Sequence, residues 1–130
     1  MITFNEIYNY IESQVNTVSR PVYCASRLEP VPEEFPACYI VENDHFPRRD
    51  SITLSYQDEQ VERHFEVHVH SNLVNGALAQ AHEIMSDVEA AFRELYFIET
   101  YCGQTNNIDP TVVHIVARFS RIIGGADTIE

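Results

Sequence analysis

Positive charge is scarce in this 130-residue sequence. It contains 8 Lys and Arg residues against 20 Asp and Glu residues, which gives a formal net charge of -12 with neutral histidines. Free-standing binding to nucleic acid, or to an anionic membrane surface, depends on Lys and Arg. The composition therefore argues against both, and it is compatible with basic protein partners or with a surface that DNA slides past.

Paired cysteines, an export signal and catalytic motifs are also missing. Cys24, Cys38 and Cys102 are far apart and form no CxxC pair, so the sequence signals neither a zinc knuckle nor a dithiol redox site. Reduced thiols in a cytosol are the simplest interpretation. The N-terminus lacks a signal-peptide pattern, and no apolar run is long enough to span a bilayer. Without a P-loop, an HExxH helix or a nucleophile elbow, no catalytic or cofactor-binding residue is predicted.

The most regular stretch that is present is residues 61–70, VERHFEVHVH, where apolar and polar side chains alternate. The apolar set is Phe65, Val67 and Val69, and the polar set is His64, Glu66, His68 and His70. A period of two is typical of a β-strand, because successive side chains leave opposite faces of a sheet. The stretch predicts a sheet with one face on a core and a free polar face that meets solvent or a partner.

Two amphipathic helices flank this strand in sequence. The first begins with a Thr3–Glu6 capping box and extends through Val18, with Pro21 as its limit. The second follows Asn75 as a candidate N-cap, and its apolar stripe is Leu78, Ala81, Met85, Val88, Phe92 and Leu95. This helix must dock, and the apolar face of the sheet is the available surface.

Further strands are predicted at 22–28, 37–42, 52–56, 96–102 and 111–119, with a Pro-rich extended segment at 29–36 and breaks at 45–50 and 103–107. The expected fold is α+β: an antiparallel or mixed sheet of four to five strands with two helices packed on one face. Residues 1–130 form one domain, and residues 122–130 are expected to be a flexible C-terminal tail.

The polar face could hold a metal, because His64, Glu66, His68 and His70 share it and His114 lies on a later strand. Zinc, however, needs three or four ligands in a compact tetrahedron, and one straight strand spreads its side chains too far. A second strand would have to supply the remaining ligands. A polar face that meets solvent or a partner is therefore preferred, and no metal or cofactor is predicted.

The order helix, strands, helix, strands contains several distinctive phrases: EPVPEEFPACYIVEND, HFEVHVHSNL, AHEIMSDVEAAFRELYF and IVARFSRII. These phrases and their order resemble the tail terminator proteins of long-tailed bacteriophages, which are also called tail completion or head–tail joining proteins. The resemblance covers nearly the whole chain. It lies in pattern and order, and it includes no functional motif that transfers residue by residue.

The resemblance implies a structural protein of the virion neck, assembled in the host bacterial cytoplasm, and not an enzyme. Such a protein forms a ring, typically of six copies, that caps the tail tube, ends tail growth and joins the head connector. DNA passes through the ring without specific binding. The alternatives are another head–tail connector or minor capsid component, or a small metal-dependent enzyme that uses His64, His68 and His70.

The residues themselves suggest where a partner would bind. Arg48 and Arg49 are the only adjacent arginine pair in the sequence. In an arm off the sheet they would be well placed to pair with acidic groups on a partner; the alternative is a solvated pair. Glu66, His68 and His70 lie on the predicted free face of the sheet. These five residues are the predicted partner interface.

Overall fold

A computed structural model describes residues 2–28, 32–47, 60–106 and 109–124. In chain order the elements are α1 (Phe4–Val15), β1 (Tyr23–Ala25), β2 (Ala37–Pro47), β3 (Gln60–Ser71), α2 (Ala77–Glu94), β4 (Ile98–Thr105) and β5 (Val113–Gly124). The five strands form one sheet in the order β1-β2-β3-β5-β4. β1 is parallel to β2, and the other pairs are antiparallel. This mixed sheet with two helices confirms the predicted α+β fold.

The alternation in β3 sets the two faces of the sheet. Phe65, Val67 and Val69 are fully buried, and they face the two helices. The Phe65 ring stacks on Phe4 of α1 and contacts Phe92 of α2, so both helices pack on this face. We call it the helix face and call the opposite one the outer face.

The helices begin and end for identifiable reasons. The Thr3 side chain accepts a hydrogen bond from the Glu6 backbone N–H, which confirms half of the predicted capping box. α1 ends at Val15, three residues before the predicted end, because the chain turns there: the Asn16 side chain accepts a hydrogen bond from the Val22 N–H. Val18, predicted on the buried stripe, is fully exposed instead.

The second helix carries the predicted stripe with one exception. Ala81, Met85, Val88, Phe92 and Leu95 are buried, whereas Leu78 in the first turn is exposed. The N-cap is Gly76 and not Asn75, which adopts a positive φ of 60°. None of the helices in the described ranges is long and apolar enough to cross a bilayer.

β1 is shorter than the predicted strand 22–28, and β4 and β5 each begin two residues later than predicted. Three strands also extend farther at their C-terminal ends. β2 continues to Pro47, through the predicted break at His45, because a register shift between Glu42 and Asp44 keeps it paired with β3. β4 extends through Gly103 to Thr105, where a loop was predicted. β5 continues to Gly124 in register with β3, so residues 122–124 of the predicted tail belong to the sheet. The predicted strand at 52–56 and residues 125–130 lie outside the described residues.

A buried ion pair closes one end of the helix face. The Arg63 guanidinium donates to both carboxylate oxygens of Glu42, over 2.6 and 3.1 Å, and to the Ile2 carbonyl oxygen over 2.6 Å. Arg63 is only 8% exposed. Both charges are paired, and the third guanidinium nitrogen donates to a carbonyl oxygen. The pair therefore connects β2 and β3 to the segment before α1.

Candidate partner-binding surface

The outer face joins side chains from β2, β3, β5 and β4. The register places Glu66 beside Val41 and Arg118, His68 beside Tyr39 and Val116, and His70 beside Ala37 and His114. The four polar residues of the predicted strand, His64, Glu66, His68 and His70, therefore share one face, as the alternation indicated. β5 adds His114 from the neighbouring strand, which the sequence had marked as a possible neighbour.

Four of these residues form a continuous chain, which we call the histidine cluster: Glu66, His68, His114 and His70. His68 Nε2 lies 2.6 Å from Glu66 Oε1, and His68 Nδ1 lies 2.8 Å from His114 Nε2. The His70 ring stacks on His114 with centroids 4.0 Å apart. When Glu66 is ionised and both rings are neutral, the carboxylate accepts a hydrogen bond from His68 Nε2–H, and His68 Nδ1 accepts one from His114 Nε2–H.

The expectation of a free, wet outer face is wrong at this end of the sheet. His70 is 1% exposed and His68 is 7% exposed within a single chain. Tyr39 is fully buried beside them, and its ring meets the His70 ring edge-on at 5.6 Å. A polar strand face does not stay wet when aromatic rings from the adjacent strands cover it. As they stand, His68 and His70 offer a partner almost no surface.

Burial also sets the charge of the cluster. Burial, and then the neighbouring His114 and His68, lower the pKa of His70 to about 4. Burial and His68 lower the pKa of His114 to about 4, against an opposing effect of Glu66. Both rings are therefore neutral at neutral pH. His70 Nδ1 is buried and has no hydrogen-bond partner in the described part of the chain.

Glu66 connects the buried rings to the open part of the face. Burial raises the pKa of its carboxyl, but hydrogen bonds from His68, Arg118 and Asn43 outweigh this and lower the pKa overall. Arg118 Nε donates to Glu66 Oε2 over 2.8 Å, and the Arg118 side chain is 57% exposed. Its guanidinium lies 5.6 Å from the centre of the Tyr101 ring. Arg118 is thus an exposed cation held in place from both sides.

The remaining open part of the face is apolar. Tyr96 is 79% exposed, Ile98 70% and Ile122 41%. These three residues line a shallow depression of about 420 Å³ together with Glu62, Ser120 and Arg121. We call Tyr96, Ile98 and Ile122 the apolar corner. It borders β4, which is an edge strand of the sheet as described and whose residues are almost all exposed.

In β4, next to the apolar corner, the Tyr101 side chain lies close to the backbone of Gly103. A Cβ atom on Gly103 would lie 2.6 Å from the Tyr101 hydroxyl oxygen and 3.1 Å from its ring carbon. The glycine therefore leaves room for the Tyr101 ring to lie along the strand. Tyr101 in turn faces the Arg118 guanidinium, so the small residue helps to present both side chains on the outer face.

The five predicted interface residues have different outcomes. Arg48 and Arg49 lie outside the described residues, so their role stays a prediction. The structure brings Glu66, His68 and His70 together but buries the two histidines. Sequence reasoning did not select Arg118, although it stands on the same face of β5 as His114, and it did not select Ile98 or Ile122. Their signal was weak, since an isolated Ile in a strand usually belongs to a core.

The described residues do not support a metal site in the histidine cluster. Within ranges 2–28, 32–47, 60–106 and 109–124, the group of three possible ligand atoms within 4.8 Å of one another is Glu89, Glu99 and Cys102, on α2 and β4. His64 pairs with Glu62 at 2.9 Å, away from the rest of the cluster. The histidines of the cluster thus hydrogen bond and stack with one another.

No protein-family model matches the chain, and no curated protein matches its sequence.

Proposed function

We propose that this protein is a structural component of a bacteriophage neck, which forms a ring on the end of the tail tube, stops tail growth and joins the tail to the head connector. The order of elements on which the resemblance rests, a helix, strands, a second helix and more strands, is the order in the fold. A terminator must contact its own copies, the tube below and the connector above. The proposal therefore requires exposed surfaces that can make these contacts.

The apolar corner is the observation that carries the proposal. Tyr96, Ile98 and Ile122 are largely exposed at one end of the outer face. Burying one large apolar side chain is worth roughly 1.5–3 kcal/mol, so covering this group would be a substantial gain in an assembly. Exposed apolar groups rimmed by polar residues mark interaction sites, and here Glu62 and Arg121 provide the rim.

The edges of the described sheet are compatible with the contacts that a ring needs. A ring is built from head-to-tail contacts, which join two different surfaces of the same chain. The described sheet ends in two unlike edges: β4 has eight residues, and β1 has three. In the proposed ring, β4 and the apolar corner of one copy meet a different surface of the next copy.

Charged side chains next to the corner supply contacts to the tube and the connector. Arg118, held by Glu66 and Tyr101, faces outward on the outer face. Arg48 and Arg49 remain proposed contacts of the arm. His68 and His70 take an indirect role in this proposal: His68 hydrogen bonds to the Glu66 carboxylate, and His70 stacks on His114, which bonds to His68. The strongly acidic chain suits a channel through which DNA passes without being held.

A charge placed in the apolar corner tests the proposal. Ile98→Asp should leave the fold intact, since Ile98 is 70% exposed, but it should abolish capping of purified tail tubes in electron micrographs. The matched control is Val18→Asp, which adds the same charge at an exposed apolar residue between α1 and β1, at the other edge of the sheet.

The expected result is capped tubes with the unmodified protein and the Val18 variant, and bare tubes with the Ile98 variant. A folded Ile98→Asp protein that caps tubes normally would show that the corner is not the contact. Failure of the unmodified protein to bind tube ends, or to form rings on them, would overturn the proposed function itself. A monomer in solution would not, because such a ring can close on the tube.

A further inference from the structure

Two of the three cysteines, distant in sequence, are direct neighbours in the sheet. Cys24 of β1 pairs in register with Cys38 of β2, and both thiols are free. Adjacent strands lie about 4.8 Å apart, which is inside the roughly 4.4–6.8 Å range of Cα separations that a disulfide spans. Both side chains point to the helix face, where Cys38 belongs to the core and Cys24 packs against it.

The two thiols differ in access. Cys38 is fully buried, whereas Cys24 is half-buried and lines a cavity of about 410 Å³ with Glu12, Asn16 and Glu34. A small oxidant in this cavity meets Cys24 first. Cys38 does not line this cavity.

The surroundings of Cys38 favour its protonated thiol. Its hydrogen bond with Cys24 and its burial raise its pKa well above the usual range, although the nearby Arg20 guanidinium opposes this. The register places the two cysteines at paired positions on the same face of adjacent strands. β1 is a three-residue edge strand, so it can shift by the small amount that an S–S bond requires.

We propose that Cys24 and Cys38 are an intramolecular redox pair, which a small two-electron oxidant such as hydrogen peroxide converts to a disulfide. The Cys24 sulfur attacks one peroxide oxygen, the O–O bond breaks, and Cys24 becomes a sulfenic acid while water leaves. The Cys38 sulfur then attacks the Cys24 sulfur, the S–S bond forms, and the displaced hydroxide takes the Cys38 proton as a second water. Two thiols lose two electrons and two protons, and one peroxide becomes two waters.

The product fastens the β1 edge strand to β2 by a covalent bond. It closes a loop over residues 24–38, the segment that contains the Pro-rich stretch. The pair lies at the opposite edge of the sheet from β4. The inference therefore does not rest on the proposed phage function.

The test uses the full chain with Cys102→Ser, since Cys102 is exposed and would form links between molecules. The protein is treated with hydrogen peroxide, denatured, alkylated with N-ethylmaleimide and weighed by mass spectrometry. We expect a monomer that has lost two hydrogens and takes up no alkylating agent. Trypsin should then release the peptide 1–27 linked to the peptide 28–48, since Arg20 precedes proline and is not cut.

Cys24→Ala and Cys38→Ala, each in the same background, are the matched controls and should give no linked peptides. A reducing agent should restore two alkylated thiols in the parent protein. The proposal is overturned if both thiols still react with N-ethylmaleimide after peroxide treatment. It is also overturned if Cys24 is oxidised to a sulfinic acid while Cys38 stays a free thiol, or if the disulfides join separate molecules.

Discussion

Replacing His70 with phenylalanine should remove a large part of the acid sensitivity of the fold. His70 is 1% exposed and is bounded by Tyr39 on β2, His68 on its own strand and His114 on β5. Burial lowers its pKa to about 4, from 6.5 in an unfolded chain. Phenylalanine keeps an aromatic ring for the contacts with Tyr39 and His114 but carries no proton.

The sign follows from linkage between protonation and folding. Between pH 6.5 and 4 the unfolded chain binds a proton at His70 and the folded chain does not, so the stability that this residue contributes falls as the pH falls. One pKa unit corresponds to about 1.36 kcal/mol, so a shift from 6.5 to about 4 corresponds to a loss of roughly 3 kcal/mol at pH 4. Above pH 6.5 the contribution is complete and constant.

The contribution of His70 can be measured by urea unfolding of the unmodified protein and of His70→Phe at a series of pH values between 7.5 and 4. The free energy of unfolding of the unmodified protein should fall by about 3 kcal/mol more than that of His70→Phe over this range. The difference isolates His70, because Glu66 and His114 titrate in both proteins. Glu99 acts in the opposite direction in both, since burial and Glu89 raise its pKa to about 7.

His82→Phe is the matched control, because His82 is exposed on α2. It makes the same chemical replacement at an exposed position, away from the histidine cluster. Identical pH dependences for the unmodified protein and His70→Phe would refute the reasoning, since His70 would then titrate alike in the folded and unfolded chains.

Two further predictions concern arginines. Arg63→Met should lower the free energy of unfolding by roughly 3–5 kcal/mol, because it leaves the largely buried Glu42 carboxylate without the Arg63 guanidinium. Adding Glu42→Met should restore most of the lost stability, as measured by urea unfolding. A double variant no more stable than Arg63→Met would contradict this explanation. Replacing both Arg48 and Arg49 with alanine should leave the circular dichroism spectrum unchanged and weaken assembly on tail tubes, and an unchanged yield of joined particles would count against their role.

The parts of the fold that the sequence predicted are those in which local pattern and long-range packing agree. The alternation of Phe65, Val67 and Val69 fits only a strand. The spacing of the α2 stripe from Ala81 to Leu95 fits only a helix. Both sets are buried as expected. The predicted α+β class follows from these two elements, since an apolar strand face and an apolar helix stripe cover one another.

The boundaries that were wrong depend on partners far away in the chain. The stretch 45–50, HFPRRD, looks like a break because it contains a proline and three charged residues, yet pairing with Val61–Arg63 extends β2 as far as Pro47. Val18 fits the helical spacing of α1, but the Asn16 side chain ends that helix by bonding to Val22. The Cys24–Cys38 pair is the same kind of case, since only the parallel register of β1 and β2 brings the residues together.

The outer face shows most directly what a polar pattern leaves undetermined. The same alternation that placed Glu66, His68 and His70 on one face says nothing about their neighbours on other strands. Tyr39 and His114 happen to stand beside His70, and rings from three strands then exclude water from imidazoles that remain neutral. Farther along the face, β4 and β5 bring Ile98 and Ile122, which stay exposed. Hydration of a sheet face is thus decided across the strands, and here the apolar end is open while the histidine end is closed.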